Sequence, residues 1–356
     1  MREEQSMSGD KNITSKKKIS IGKAEITKLA LALVFIAMVF IPLIRMFSFM
    51  DGESIKSVVS SPNFGEAVLH SVVSAFLGTI ITVFLAFVLA LCIERTKIPF
   101  KGLFGIIFVL PMLIPSISHG MGLVILLGNN GLLTSLLGLK QSIYGLGGIV
   151  LGSILYAFPV AYLMLSDVIR YEDGSAYEAA RVLGIPKFRQ FTAIMLPFLK
   201  KPLISVVFAV FTLIITDYGV PIMVGGKYKT IATVMYQEVI GQLNFDKGAV
   251  FGTLLLIPAV IAFIFDLTNK DRGNSTFVTK PCEKSSNKVV NGGALILCIL
   301  VVILTLLPLV PFGLLAFAAD YPRDLTFTLD NLQKAFNLRA GEYYLNSVVI
   351  ALITAT

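Results

Sequence analysis

The sequence predicts an all-α membrane protein, a polytopic bundle of transmembrane helices. Hydrophobic residues make up 55% of the 356 residues and charged residues only 15%, whereas soluble domains carry about 25% charged residues. Apolar segments recur along the chain, and each is close to or longer than the roughly 20 residues that a helix needs to cross a bilayer. An eighth segment starts near Tyr344 and is still apolar at Thr356. The seven complete predicted spans are 29–49, 67–93, 102–127, 146–168, 202–224, 249–267 and 292–317.

The distribution of Lys and Arg predicts the orientation of these spans. If the amino terminus is cytosolic, the inside segments are 1–28, 94–101, 170–201 and 268–288, and they hold 21 of the 30 basic residues. Cytoplasmic loops of membrane proteins carry such an excess of positive charge. The basic segment 1–28 precedes a span that has no small-residue cleavage site, which favours a retained signal anchor over a removed signal peptide. We therefore expect a multi-pass protein with a cytosolic amino terminus.

Several functional classes are disfavoured by composition. The net charge of +8 comes from loops between spans, so it does not indicate a nucleic-acid-binding face. The three cysteines lie far apart, with neither a disulfide framework nor zinc spacing. No His, Asp and Glu cluster suggests a metal or acid–base site, and no G-x-x-x-x-G-K-[ST] loop is present. The sequence predicts no cofactor and no enzymatic activity.

The inside segment 170–201 has the local signals of two short helices. Ser175 and Glu178 have the S-x-x-E spacing of a capping box, which predicts a helix start. Gly184 suits a left-handed helix cap, and Pro186 prevents the first helix from continuing and permits a second near Lys187. We therefore expect a helix–turn–helix elbow on the inner membrane surface. Each residue taken alone could simply cap or turn the chain.

The same segment carries a complete motif. Residues 178–197 fit E-A-A-x3-G-x9-I-x-L-P at every specified position. Two alanines keep one side of the first predicted helix low, so that another protein could approach closely. The specified residues are Glu178, Ala179, Ala180, Gly184, Ile194, Leu196 and Pro197.

This motif resembles the EAA loop of the permeases of binding-protein-dependent ABC importers. The resemblance implies a type I ABC importer permease fold in the bacterial cytoplasmic (inner) membrane. It also implies that the elbow is a coupling helix seated in a cleft of ABC ATPase subunits, and that the motif residues make this contact. ATP would be bound and hydrolysed by those partners, while an extracytoplasmic substrate-binding protein would deliver a small-molecule substrate.

The sequence offers few candidate residues for a translocation path. The third predicted span carries Pro111 and Pro115 close to His119, and helix breaks at membrane depth are tolerated where they face protein or a water-filled cavity. An intramembrane histidine is a functional candidate, although a neutral histidine bonded to a neighbouring helix is an equally good interpretation. Asp217 and Tyr218, near the predicted outer end of the fifth span, are the candidates for a substrate gate.

An internal repeat predicts the domain organisation. Residues 69–75 (LHSVVSA) recur as 345–351 (LNSVVIA), with five of seven positions identical. This pattern predicts a first transmembrane domain of six helices over 29–267, a cytosolic linker over 268–288, and the start of a second repeat over 289–356. Because only one E-A-A loop is present, we expect a first half that is complete, a second half that is truncated, and a natural reading frame that continues past Thr356.

The two-half layout resembles the fused ferric-iron and 2-aminoethylphosphonate permeases. Residues 216–221 (TDYGVP), with Gly225 and Gly226, are most similar to the 2-aminoethylphosphonate group, which makes that phosphonate the predicted substrate. Ferric iron is the main alternative, followed by a polyamine, sulfate or thiamine. A secondary transporter is the rival class, but it would need coupling charges near the bilayer midplane, and the spans offer little beyond His119.

Overall fold

The computed structural model describes residues 23–138, 143–269, 280–321 and 323–355. The predicted basic segment 1–28 and linker 268–288 therefore lie partly outside the described residues. Seven helical segments within the described ranges are long and apolar enough to cross a membrane, which agrees with the predicted number. They are Glu25–Ser48, Phe64–Arg95, Ser116–Leu137, Leu146–Arg170, Lys187–Ile215, Phe245–Phe265 and Lys288–Phe317.

The described residues form helices joined by short connections. The helices are α1 Lys23–Ser48, α2 Gly52–Val59, α3 Phe64–Arg95, α4 Lys101–Val109, α5 Ser116–Leu127, α6 Leu132–Leu137, α7 Leu146–Arg170, α8 Ser175–Val182, α9 Lys187–Gln190, α10 Leu196–Ile215, α11 Gly219–Val224, α12 Ile231–Tyr236, α13 Phe245–Asn269, α14 Lys288–Leu306, α15 Val310–Phe317, α16 Asp330–Asn337 and α17 Ala340–Ala355. The strands are β1 Ala318–Asp320 and β2 Asp324–Phe327.

Contacts divide the described residues into two units, one that ends at Phe49 and one that begins at Met50. In the first unit, α1 is a single apolar helix that continues past Pro42 to Ser48. Its large side chains, such as Phe35 and Met38, are exposed. This is the surface expected of a helix whose apolar side chains face lipid.

The core of the second unit is built on the pair α3 and α7. Small residues recur along one face of α3, including Ala75, Thr82, Ala86 and Ala90, all of which are buried. The facing side of α7 buries Ala157 and Ala161 together with larger residues. Inside a membrane the hydrophobic effect does not drive helices together. Small side chains allow two helix backbones to approach closely, and the resulting van der Waals packing stabilises the pair. The centre of the unit is therefore a close helix–helix contact, extended by α4, α10 and α14.

The prediction of one span over 102–127 was wrong. The chain forms α4 and a 3-10 turn over Leu110–Leu113, leaves the helical conformation at Ile114, and starts again with α5. Pro115 explains the break, because a residue that precedes proline is pushed toward an extended conformation. The apolar segment long enough to cross the membrane is instead Ser116–Leu137, which combines α5 and α6.

The predicted span 202–224 was also wrong in both boundaries. The helix begins at Lys187, inside the elbow, and ends at Ile215. Residues 216–218 then leave the helix, and α11 starts at Gly219 as a separate short helix. Helix α11 packs against α5 and α7 through two apolar residues, Val220 and Val224, which are fully buried.

Two features near the carboxyl end go beyond the sequence prediction: a short β-hairpin and the order of the helices that follow it. The described residues include one short antiparallel hairpin of β1 and β2, which pairs Ala318 with Phe327 beside the predicted bundle of helices. After it, α16 and α17 follow in the same order in which α2 and α3 follow α1. The repeated sequences 69–75 and 345–351 lie in α3 and α17, and the division into two repeats stays a prediction.

Candidate functional site

The elbow, defined here as residues 175–190, has the predicted helix–turn–helix form but a different start. The first helix is α8, and the expected capping box of Ser175 and Glu178 is not formed. Asp173 takes that role instead: its carboxylate accepts hydrogen bonds from the Ser175 amide at 3.0 Å and the Ser175 hydroxyl at 2.5 Å. These bonds hold the pKa of Asp173 below its usual value. Glu178 is thereby left available for a contact outside its own helix.

The turn of the elbow depends on Gly184. Its φ of 68° is left-handed, a conformation in which a Cβ atom is strained. The Gly184 amide donates to the Arg181 carbonyl at 3.0 Å, and the Ile185 amide donates to the Ala180 carbonyl at 2.9 Å. These two bonds are the Schellman motif that closes a helix and satisfies its last carbonyls. The left-handed cap predicted at Gly184 is confirmed.

The second half of the motif lies where the elbow enters the membrane helix. Residues Phe191–Met195 form a π-helical turn, in which the Leu196 amide donates to the Phe191 carbonyl five residues back. Pro197 explains this turn, because proline has no amide to donate to the preceding turn and so disturbs the regular ladder. Helix α9 thus continues into α10. Of the motif residues here, Ile194 is half-buried, while Leu196 and Pro197 are exposed.

The residues of α8 divide between two surfaces. Ala180 faces the interior of the protein and is 5% exposed, whereas Ala179 is exposed. Glu178 is half-buried and forms an ion pair with Lys280, with 2.8 Å between Oε1 and Nζ. The tip of the elbow presents three large apolar side chains, Val182, Leu183 and Phe188, which are 88%, 74% and 77% exposed. Sequence reasoning missed this apolar tip, because hydrophobic residues are so frequent in this sequence that three of them in a loop do not stand out.

A buried polar cluster lies beneath the elbow. Glu172 is 2% exposed at its side chain and forms an ion pair with Arg95, the last residue of α3. The Tyr177 hydroxyl donates to the same carboxylate at 2.5 Å, and the Arg95 guanidinium lies 5.4 Å from the Tyr177 ring centroid. Burial and the bond to Glu172 raise the pKa of Tyr177 above its ordinary value. The cluster attaches α8 to the end of α3, which is 77 residues away in sequence, so no local pattern could have revealed it.

Asp217 has its hydrogen-bonding capacity filled inside the protein. Its carboxylate accepts bonds from the Ser116 hydroxyl at 2.6 Å and from the amides of Gly219 and Val220 at 3.1 and 3.0 Å. It therefore caps α11 and holds this helix against the start of α5. In the arrangement described, the carboxylate is engaged in structure, and its role at a substrate gate stays a prediction.

The other two path candidates lie nearby in different environments. His119 is fully buried on α5, with Nδ1 3.3 Å from the Pro115 carbonyl and Nε2 without a partner among the described residues. The Tyr156 ring meets it edge-on at 6.2 Å. Tyr218 is 42% exposed and stacks on Tyr236, with 4.9 Å between ring centroids. The structure thus brings Asp217 beside α5, while the exposed ring of Tyr218 belongs to a surface pair.

Replacing Asp217 by Ala is expected to destabilise the protein by about 1–3 kcal/mol, because Ser116 and two amides lose their acceptor in a buried setting. Thermal unfolding of the detergent-solubilised protein measures this. The matched control is Asp217→Asn, which keeps the shape and one acceptor oxygen and should lose less. Equal stability of Asp217→Ala and the parent protein would contradict the capping role.

The elbow leads directly into a membrane-spanning helix and exposes an apolar tip. A family model described as "Binding-protein-dependent transport system inner membrane component" matches residues 78–270, more than half of the chain. The matched range contains α7, the elbow, α10 and α11. The chain belongs to this family of inner membrane permease components.

Individual relatives agree with this assignment. The ferric transport system permease protein FbpB of Actinobacillus pleuropneumoniae is 27% identical over 327 residues, which cover 85% of this chain and 47% of that protein. The thiamine transport system permease protein ThiP of Brucella abortus (strain 2308) is 26% identical over 186 residues, covering 49% of this chain and 34% of that protein. The chain spans less than half the length of each of these two relatives.

A solved structure supports the fold. The bacterial alginate ABC transporter, in complex with an alginate pentasaccharide-bound periplasmic protein, aligns with a TM-score of 0.55 over 71% of this chain and 95% of its own. At 17% identity, this similarity concerns the fold alone. The fold is the one predicted from the E-A-A motif, that of a type I ABC importer permease.

Proposed function

We propose that this protein is a permease subunit of an ABC importer, which forms the translocation path and couples it to separate ATPase subunits. The observation that carries the proposal is the elbow, whose apolar tip at Val182, Leu183 and Phe188 is exposed and uncovered by the described chain. Exposed apolar patches rimmed by polar residues mark protein interaction sites. In this proposal ATP is bound and hydrolysed by the partner.

The motif residues take distinct roles in this proposal. Ala179, which is exposed on α8, contacts the ATPase together with the exposed part of Glu178, which also pairs with Lys280, and Gly184 allows the close approach of the ATPase. Ala180 packs α8 against the interior of the protein. Ile194, Leu196 and Pro197 form the joint between the elbow and α10.

The connection between elbow and membrane suggests how movement is transmitted. From Lys187 the chain is helical to Ile215, with the π-helical turn Phe191–Met195 near its start, so the α-helical part from Leu196 onward can act as a rod that rises about 1.5 Å per residue. ATP binding would bring the ATPase domains together and displace the elbow, which would tilt α10 and open the path outward. Hydrolysis would reset it. His119, Asp217 and Tyr218 are the proposed path residues, all at the far end of this rod.

The proposed partners are ABC ATPase subunits on the cytosolic side and a substrate-binding protein on the other side. An assay of reconstituted transport tests both at once: uptake into proteoliposomes should need internal ATP and the external binding protein. A secondary transporter would instead respond to an ion gradient without either. Gradient-driven uptake in the absence of ATP would overturn the proposal.

The proposed orientation, with the amino terminus and the elbow in the cytosol, predicts the labelling pattern of the cysteines. Cys282 is half-buried beside Glu172, whereas Cys92 and Cys298 are buried in the bundle. A membrane-impermeant maleimide should therefore label the protein in inside-out vesicles and leave it unlabelled in intact cells or right-side-out vesicles. The Cys282→Ser variant is the control and should remain unlabelled in both. Labelling of Cys282 from outside would contradict the orientation.

For the substrate, we propose ferric iron first, because the ferric permease relative aligns with 85% of the chain. Strains lacking the gene should lose binding-protein-dependent uptake of ferric iron and grow poorly when iron is scarce. Restoration by the intact gene checks the assignment. Unchanged iron uptake in the deletion strain would exclude it.

2-Aminoethylphosphonate is the second candidate, favoured by residues 216–221 (TDYGVP), the segment that contains Asp217. The deciding measurement is growth on the phosphonate as sole phosphorus source. A growth defect confined to this medium would assign the phosphonate and displace ferric iron. Thiamine, polyamine and sulfate uptake can be measured in the same strains.

A further inference from the structure

A short segment between the two predicted repeats packs against the residues that lead into the elbow and against α8. We call residues 280–287 the strap. Its first residues pair with the chain just before α8: the Gly174 amide donates to the Lys280 carbonyl at 2.7 Å, and Asp173 and Pro281 form an antiparallel bridge. The Cys282 thiol lies 3.5 Å from the Glu172 carbonyl. The strap therefore begins as a strand-like partner of the elbow's entry.

The other end of the strap pairs with the end of α3. The Ser285 amide donates to the Arg95 carbonyl at 2.8 Å, and Thr96 and Ser285 form a parallel bridge. Lys97 adds a side-chain bond to the Ser286 hydroxyl at 2.9 Å. Eight residues thus connect the elbow to a membrane helix through backbone hydrogen bonds at both ends.

The strap is also joined to α14, the first helix after it. Asn287 caps this helix by accepting a bond from the Val289 amide at 2.9 Å. Asn291, one turn into α14, donates to the Ser285 carbonyl at 3.2 Å and accepts a bond from the Lys97 amide at 3.1 Å. The ends of α3 and α14 are consequently linked through the strap.

Side chains reinforce the contact with α8. Lys280 pairs with Glu178, and Glu283 pairs with Arg181 at 2.7 Å, so that two positive and two negative charges alternate across the contact. The acid of the E-A-A motif is one of the four. The hydrogen bond with Arg181 and the charge of Arg181 lower the pKa of Glu283, and the hydrogen bond with Glu178 and the charge of Glu178 raise the pKa of Lys280. Exposed pairs of this kind add little individually, so the backbone bonds are the main attachment.

The packing at Gly174 shows how closely the strap is seated. A Cβ atom at this position would lie 3.0 Å from the Cys282 Cα and 3.0 Å from the carbonyl oxygens of Lys280 and Pro281. All three are backbone atoms, which cannot rotate away. With a φ of −73°, the conformation of Gly174 suits any residue, so the need for glycine at this position comes from the strap alone.

We propose that the strap is a transmission element, which makes the elbow, the end of α3 and the start of α14 move as one body. This inference rests on the proposed function of the elbow. Displacement of α8 by an ATPase would then move α10 through the chain and, through the strap, α3 and the first helix of the second repeat. A linker that merely connected two repeats would need none of these contacts.

Gly174→Ala tests the proposal, because the added methyl group presses the strap away while leaving the tip of the elbow unchanged. In the assembled transporter, we expect the rate at which a membrane-impermeant maleimide labels Cys282 to rise roughly tenfold, as overpacking against backbone displaces the strap. ATP-driven uptake should fall by a similar factor, with the amount of co-purified ATPase unchanged. The matched control is Gly292→Ala, one turn into α14, where a Cβ atom would meet nothing within 4 Å.

The possible outcomes distinguish transmission through the strap from docking of the ATPase on the elbow. Faster labelling with normal uptake, or unchanged labelling, would overturn the proposal. Loss of ATPase binding in Gly174→Ala would also overturn it, because the strap would then belong to the docking surface. If the unmodified permease neither binds an ATPase nor depends on ATP, the proposed function itself fails, and this result is seen before any variant is made.

A charge exchange provides a second measurement. Glu283→Arg alone and Arg181→Glu alone each place like charges together, and we expect each to lower the substrate carried per ATP hydrolysed by about twofold to fivefold, the scale of an exposed pair. The double variant restores opposite charges and should recover most of the loss. Lys288→Glu, just beyond the strap, is the control. Absence of recovery in the double variant would overturn the role of this pair in transmission.

Discussion

Gly184→Glu is expected to abolish ATP-driven uptake while leaving membrane insertion intact. The left-handed φ of 68° strains any residue with a Cβ atom, and the glutamate would place a long charged side chain next to the apolar tip of Leu183 and Val182. A partner that packs against this tip would have to bury the charge, which is costly without a counter-ion. Insertion does not depend on this turn, because no spanning segment contains it.

Uptake into proteoliposomes and co-purification of the ATPase measure the effect. Gly184→Asn is the matched control, since asparagine tolerates the left-handed conformation better than other residues and adds no charge. We expect that variant to retain most of its activity. Normal ATP-driven uptake by a well-inserted Gly184→Glu protein would contradict the docking role of the elbow.

Glu172→Ala is expected to have the largest effect on stability. It leaves the Arg95 guanidinium, whose side chain is 17% exposed, without its counter-ion and removes the acceptor of the Tyr177 hydroxyl. Breaking a buried ion pair by removal of one partner typically costs 3–5 kcal/mol. The midpoint of thermal unfolding in detergent should fall, and the elbow should become accessible to proteases.

Two further variants isolate the cause. Arg95→Met combined with Glu172→Met removes both charges and should be less destabilising than Glu172→Ala, because no unpaired charge stays buried. Tyr177→Phe removes one hydrogen bond and should cost about 1–3 kcal/mol, since a buried acceptor is left with one fewer partner. A double variant as unstable as Glu172→Ala would show that packing, rather than the unpaired charge, determines the loss.

The raised pKa of Tyr177 adds a pH dependence to this cluster. The folded protein holds the phenol protonated, so its contribution to stability is complete below the ordinary phenol pKa of about 10. Above that pH the unfolded state loses the proton while the folded state retains it, and the contribution declines. Unfolding midpoints between pH 8 and pH 11 should therefore fall more steeply for the parent protein than for Tyr177→Phe.

The elbow shows how far local sequence signals reach. The glycine cap at Gly184 and the second helix at Lys187 were predicted correctly, because helix caps and proline act within one or two turns. The capping box at Ser175 was wrong for an equally local reason: Asp173 offers a stronger acceptor two residues earlier. The span boundaries near Pro115 and Asp217 were wrong because an apolar run has the same composition whether it continues as one helix or turns back to pack.

The sequence by itself determined the membrane bundle, the number of long apolar helices and the E-A-A segment, since bilayer thickness and backbone hydrogen bonding leave an apolar run of 20 residues few alternatives. Only the tertiary structure decided the pairing of Glu172 with Arg95, the hydrogen bond from Ser116 to Asp217, and the seating of the strap on Gly174. These contacts join residues that are about 80 to 110 positions apart. Their partners are selected by how the helices pack, and neither charge nor hydropathy along the chain carries that information.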